Sequence, residues 1–389
     1  GHDIHDRAAA STITNYKPSD GATVIDTQVI SYLEYDRYGN ALHQAILTTA
    51  ASDNKQTFKT ITNTYDPDNK KALMKGNARI TEVMKYSGPS AVEDNLIERT
   101  ITTTDRYDTR GNAVDQTTNT YVYDSAKTAR LQKETKVHNE EITTRGDAAL
   151  RYITSSETDN TGAPDSLEVV SYQVIENRSF DLSHNATNQM IVTYTDATAA
   201  REVKDVQEIR ATKGFTSSGT AVEQIIATYT SYDESTKAVS GFVEAKHITN
   251  NNVDSQGNVG ESVIVRYASA TIADGGKGAI TVAPGSAVDR QAIRTTSFDI
   301  RGNALIQEMV TASYDTATSG FVFGAAQIVA NNDYSFLDRA EISRIKNFGD
   351  IGFTKFVDMQ DVAYIYDRAS SDNVLVERVS PRVVGKIGD

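Results

Sequence analysis

A ten-residue signature, Tyr/Phe-Asp-x-x-Gly-Asn-Ala-x-x-Gln, recurs along this chain and limits what it can fold into more than any other feature. It reads Tyr35-Asp36-Arg37-Tyr38-Gly39-Asn40-Ala41 with Gln44, and Tyr107-Asp108-Thr109-Arg110-Gly111-Asn112-Ala113 with Gln116. A third full copy is Phe298-Asp299-Ile300-Arg301-Gly302-Asn303-Ala304 with Gln307. Degenerate copies follow Phe180, with His184 in the glycine slot, Phe215, with Gly219, and Val253, with Gly257-Asn258. Gly76-Asn77-Ala78 and Gly146-Asp147-Ala148 keep only the centre, Phe348 with Gly352 is fainter, and His2 to Ala8 places Asp6 in the slot. The slots at 6, 39, 76, 111, 146, 184, 219, 257, 302 and 352 lie 33 to 50 residues apart. A tandem array of one supersecondary unit is an architecture before it is a chemistry.

Asp-x-x-Gly between strand-forming segments is the sequence of a type I turn closed by a G1 bulge. The Asp accepts backbone N–H bonds across the turn, and the Gly takes positive φ at little cost. Asp6 and His184 belong to the non-glycine residues that tolerate the left-handed region best. The flanks, such as Thr100 to Thr104 and Val263 to Tyr267, are rich in Thr, Val, Ile and Tyr, which are strand formers. No window shows a sustained helical apolar stripe. The expectation is an all-β protein, an elongated tandem array of antiparallel β-hairpin repeats of about 35–50 residues each, in one continuous array of about ten units over 1–389.

The chain has no cysteine and no tryptophan, is 39% hydrophobic and carries a formal charge of −13 over 389 residues. The absent cysteines exclude disulfides and thiol chemistry. The acidic balance, with no basic stripe to offset it, argues against a nucleic-acid partner. No segment approaches 18 consecutive apolar residues, so no membrane span is expected. The chain begins with Gly1 and shows no signal peptide, which suits a processed product or a portion of something longer.

The two ends read as complementary halves of one repeat. Residues 1–31 read as a turn with a post-turn half. Residues 374–389, with Val374, Val376, Val379, Val383 and Val384, read as a pre-turn strand whose turn is missing. If a second copy's Gly1 followed Asp389, slot 6 would follow slot 352 by 43 residues, inside the internal range. This predicts pairing of one copy's C-terminal strand with the next copy's N-terminal strand at Thr12, Ile13 and Thr14. Such a head-to-tail homopolymer is heterologous and non-closing, and it satisfies exposed edges by β-augmentation.

The Tyr/Phe-Asp-x-x-Gly-Asn pattern resembles the YD repeats of bacterial Rhs-type proteins and of very large bacterial cell-surface proteins. The Gly-Asn-Ala-x-x-Gln extension is closer in style to repetitive surface or filament proteins than to toxin-enclosing shells. The resemblance implies an extracellular or cell-surface bacterial protein with a structural or adhesive role, and it brings no catalytic residue. The function expected is a structural filament subunit; the alternative is a monomeric adhesin or glycan-binding stalk presenting its variable loops.

Arg145-Gly146-Asp147 spells an integrin-binding tripeptide but occupies the repeat turn. His2, Asp3, His5 and Asp6 could gather a metal, yet lie in the turn frame. The loops Asp66 to Asn69 and Asp254 to Asn258 lack the further acidic ligands of a calcium loop. The other histidines, His43, His138, His184 and His247, form no triad spacing, so neither catalysis nor a cofactor is expected. Asn177 and Asn185 head N-glycosylation sequons, and Thr12/Thr14, Thr60/Thr62/Thr64 and Thr118/Thr120 put hydroxyls on one strand face, explained by β-propensity or by O-glycan attachment.

Overall fold

The computed structural model describes residues 7–198, 200–368 and 375–382, with side chains as far as residue 364. It divides into two compact units, Gly1–His184 with Thr193–Glu202, and Asn185–Val192 with Val203–Asp389. In the first, strands Ala10–Tyr16, Val24–Tyr35, Ala41–Ala50, Gln56–Thr64, Ile80–Tyr86, Leu96–Tyr107, Ala113–Tyr123, Ala129–Ile142, Ala148–Glu157 and Glu168–Phe180 each pair antiparallel with their sequence neighbours. The second repeats the scheme through Val203–Phe215, Ala221–Asp233, Ala238–Val253, Val259–Tyr267, Ala287–Phe298, Ala304–Asp315, Gly320–Tyr334, Ala340–Phe348, Phe356–Arg368 and Leu375–Arg382. The chain is an all-β tandem array of antiparallel hairpins, as its repeat and its strand-forming flanks predict.

Inside–outside alternation of burial is clear in Ala186–Tyr194 and Val203–Phe215 and absent from Ala41–Ala50. Every residue of Ala41–Ala50 is half-buried, the pattern of a sheet whose two faces are both partly covered. Deep burial is confined to short stretches, such as Val122 and Leu131 in the first unit and Val206, Ala227 and Ala245 in the second. Stability therefore rests heavily on the ladder and on side-chain-to-backbone bonds between neighbouring repeats.

The ladder slips in the same way before each full-copy turn. Thr104 pairs with Gln116, Arg106 with Asp115 and Tyr107 with Ala113, which leaves Asp105 and Val114 outside the register. The same double slip occurs at Tyr32/Gln44, Glu34/His43 and Tyr35/Ala41, and again at Thr295/Gln307, Ser297/Ile306 and Phe298/Ala304. One extra residue in each strand restores the register while tightening the local twist. The motif glutamine acts here: Gln116 and Gln307 donate from Nε2 to the hydroxyls of Thr104 and Thr295, at 3.4 and 3.3 Å.

Three repeats differ from the sequence reading. The copy centred on Gly76 is a full motif split by an insertion: Tyr65-Asp66 is its front half, and the helical turn Lys70–Met74, capped by Asn69, stands between Asp66 and Gly76. Near the C-terminus the slot is Asp338 and not Gly352. Ser335 N donates to Arg339 O (2.9 Å), Asp338 N donates to Ser335 O (3.0 Å), and Asp338 takes φ +58°. Its distance from slot 302 restores the regular period, which was hidden because none of Ser335, Asp338 and Arg339 matches the motif. The segment around Gly352 is a turn at the other end of the hairpins, with Phe353 at positive φ.

Finally, Leu375–Arg382 pairs with Phe356–Arg368 of its own chain, with Val376 opposite Asp367 and Val379 opposite Tyr364. The sequence reading instead has this stretch as a strand awaiting a turn from the next copy. Val374, Val383 and Val384 lie outside the described residues.

The second unit also carries an insertion, a small hairpin of Ala270–Ile272 with Ile280–Val282. It packs Ile280 against Ile225, Ala227 and Ala245. Arg210 anchors its tip, donating from Nε to Gly278 O (2.7 Å) and from Nη2 to Gly276 O (3.3 Å).

Candidate functional site

The motif turns are built almost identically. In the copy at 108, Asp108 N donates to Asn112 O (2.9 Å) and Gly111 N donates to Asp108 O (3.0 Å), the two bonds of a type I turn with a G1 bulge. The Asp108 carboxylate accepts from Arg110 N (2.8 Å), Asn112 N (2.9 Å) and Asn112 Nδ2 (2.9 Å). Asp36 with Asn40 and Asp299 with Asn303 repeat the set. So do Asp254 and Asn258, although that copy lacks the leading aromatic residue. Where Thr replaces Asp, at Thr143 and Thr216, the hydroxyl accepts the fourth-residue N–H instead. His184 holds φ +67° in its slot.

Burial alone would raise the carboxyls of Asp36 and Asp108. Bonds from the backbone and amide of Asn40 and Asn112, and from Tyr38 N and Arg110 N, outweigh it and hold both below the usual carboxylate range.

Successive turns are stacked and stitched together. Asn40 Nδ2 donates to Leu73 O (2.8 Å), Asn77 Nδ2 to Gly111 O (2.7 Å) and Asn303 Nδ2 to Asp338 Oδ1 (2.9 Å). The arginine just before the slot glycine reaches the next turn: Arg110 donates to Ile142 O, Arg145 to Asp181 O (2.9 Å) and Arg301 to Phe336 O (3.1 Å). The motif alanine offers its carbonyl to a strand asparagine, as in Asn63 to Ala41 (3.0 Å), Asn250 to Ala221 (3.0 Å) and Asn331 to Ala304 (2.8 Å). The leading tyrosines Tyr35 and Tyr334 donate to the carbonyls of Ala8 (2.6 Å) and Ala304 (2.5 Å). The Tyr-Asp-x-x-Gly-Asn-Ala pattern is thus read by neighbouring repeats as well as by its own turn. The periodic Asn residues of the strands and the Arg before the glycine were visible in the sequence. Their contacts could not be inferred without knowing which turns stack.

The N-terminal edge residues Thr12, Ile13 and Thr14 lie on Ala10–Tyr16, opposite Val29, Gln28 and Thr27. Among the described residues, this strand's only ladder partner is Val24–Tyr35. Asn15 Nδ2 donates to Asp26 Oδ1 (2.6 Å), and both residues are buried.

Several sequence candidates are occupied by the fold itself. Asn177 is buried, and its Nδ2, the atom a glycan would take, donates to Ala148 O (2.9 Å). That removes it as an acceptor in the folded chain. Asn185 is half-buried in the frame of a motif asparagine. Asp147 of the Arg-Gly-Asp tripeptide is buried and meets His184 Nδ1 at 2.5 Å. His43, His138 and His247 have separate partners in Thr62, Asp115 and Glu223. Among the described residues no group of three or more His, Asp or Glu is placed to hold a metal ion, and His2, Asp3, His5 and Asp6 lie outside them. No helix among the described residues is long and apolar enough to cross a membrane.

No family model matches the chain, and no curated protein matches its sequence.

Proposed function

We propose that this protein is a structural subunit of an extracellular filament, whose copies join head to tail by β-strand pairing at the edges of the array. The observation that carries the reading is the strand Ala10–Tyr16. It is seven residues long, contains no charged residue and no proline, and is laddered on one side only among the described residues. Natural sheets ordinarily blunt such an edge with lysine, proline, a covering loop or a short strand. An edge left uncharged, with its one register shift at the far end between Asn15 and Tyr16, is suited to accept another strand. The C-terminal strand Leu375–Arg382 is the complementary candidate. Because it closes a hairpin with its own chain, the joint adds one complete edge to another, which replaces the split repeat that the motif spacing suggested. The formal charge of −13 disfavours unspecific association and leaves backbone pairing as the selective contact.

Electron microscopy of the intact chain, beside Ile13→Lys and a chain lacking residues 374–389, tests this. Filaments are expected from the intact chain alone. Single particles from all three, or filaments undiminished by Ile13→Lys, would remove the proposal.

A further inference from the structure

Arg151 breaks the internal pattern of the repeats. In three other repeats the asparagine that serves the motif alanine pairs across the ladder with a small hydroxyl residue: Asn63 with Thr81, Asn250 with Ser262 and Asn331 with Ser343. Each hydroxyl donates to the asparagine Oδ1, at 2.9, 3.0 and 2.6 Å. Asn139 donates to Ala113 O (3.2 Å) in the same way, but its ladder partner is Arg151, whose Nε donates to Asn139 Oδ1 at 3.2 Å. A hydroxyl would meet the structural need. The arginine adds a half-buried guanidinium held by one nitrogen, with its two terminal nitrogens left over.

Arg151 lines an open groove of about 560 Å³ along the stacked turns of the first unit. Among the described residues no carboxylate pairs with Arg151. The acid in the lining, Asp147, is already engaged by His184 (2.5 Å) and lies 3.6 Å from Arg145 Nε. Lys75 adds another cation, its Nζ donating to Asn112 Oδ1 at 2.7 Å. The groove is therefore cationic in a chain of net charge −13. Burial, with no compensating acid, pushes the Arg151 guanidinium down from its ordinary value, a cost that an arriving anion would relieve.

The rest of the lining narrows the ligand class. Asn77 and Gln116 use their amide nitrogens on Gly111 O and Thr104 Oγ1, which leaves Asn77 Oδ1 and Gln116 Oε1 as acceptors. Acceptors call for hydroxyl donors, which inorganic sulfate or carboxylate alone does not bring. Phe180 gives an apolar wall against which a sugar ring can lie.

We propose that this groove binds an acidic sugar, with its carboxylate on the terminal nitrogens of Arg151 and its hydroxyls on Asn77 and Gln116. The planar arginine fork suits a carboxylate. The proposal holds whether or not copies assemble.

Calorimetric titration of the full chain with galacturonic acid oligomers, neutral galactose oligomers of equal length and sodium sulfate is the test. The acidic oligomer is expected to bind saturably and the neutral one not to bind. Arg151→Ser, which installs the residue found in equivalent repeats and keeps a donor for Asn139, is expected to weaken binding about tenfold or more with an unchanged thermal melt. Absence of acidic-oligomer binding, binding unaffected by Arg151→Ser, or sulfate binding as tightly as the sugar would each overturn the proposal.

Discussion

A β-carbon at Gly111 would stand 2.5 Å from the backbone nitrogen of Ala72, because the inserted helical turn Lys70–Met74 lies directly on the motif turn that follows it. Gly302 meets the Oδ1 of Asn258 at the same distance, while Gly39, in the same backbone conformation, has nothing within 4 Å. One glycine slot thus carries three different steric loads.

Alanine at these three positions should separate the loads. Gly39→Ala should cost about 1–2 kcal/mol, the left-handed strain alone. Gly302→Ala should cost more, since the Asn258 amide must turn away. Gly111→Ala should cost most, since backbone cannot yield as a side chain can. Urea unfolding of the three variants gives the order, and equal losses would show that stacking adds nothing to the positive φ.

Asp108→Ala removes an acceptor from four donors, Arg110 N, Arg110 Nε, Asn112 N and Asn112 Nδ2. A loss of about 1–3 kcal/mol is expected, with hydrogen exchange accelerated at Arg110 and Asn112 and unchanged in distant repeats.

Acid should weaken the array through depressed carboxyls. Asp36 and Asp108 sit below the ordinary range, and Glu223 falls from 4.5 to about 2, chiefly through the bond from Lys213, with burial opposing and Thr212 and His247 adding. A folded-state pKa below the unfolded one gives stability that is present above the unfolded value and lost as pH falls through the folded one. The Glu223 contribution should therefore decline between about pH 4.5 and 2. Glu223→Gln should flatten that part of the melting-temperature profile; an unchanged slope would count against the assignment.

His138 works in the opposite sense. Its bond to Asp115 (2.6 Å) raises its pKa above 6.5, against burial and with help from Glu140. The stability it brings is complete below 6.5 and is lost as pH rises through the raised folded value. An NMR titration should place the His138 midpoint above 6.5 and find it lowered in Asp115→Asn.

Arg210 and Glu208 form a buried ion pair at 2.9 Å. Arg210→Ala should cost about 3–5 kcal/mol, because it breaks a buried ion pair by removing one partner and releases the Gly276–Gly278 tip of the inserted hairpin. Protease cleavage within 273–279 should rise in this variant and stay slow in the parent.

The sequence alone determined the hairpin class, the turn type and the period over most of the chain, because each depends on local chemistry. Asp36, Gly39 and Asn40 make most of their turn contacts within five residues, so their spacing was enough. Tertiary structure decided which turn rests on which. The stacking of Asn303 on Asp338 and of Asn40 on the Lys70–Met74 turn, the burial of Asn177 and the exceptional place of Arg151 beside Asn139 depend on contacts between residues 12 or more positions apart. A periodic sequence repeats its local instructions in every unit. It does not mark the unit where a neighbour turns a hydroxyl position into a cation over a groove, and that difference exists only once the ladder has set the register.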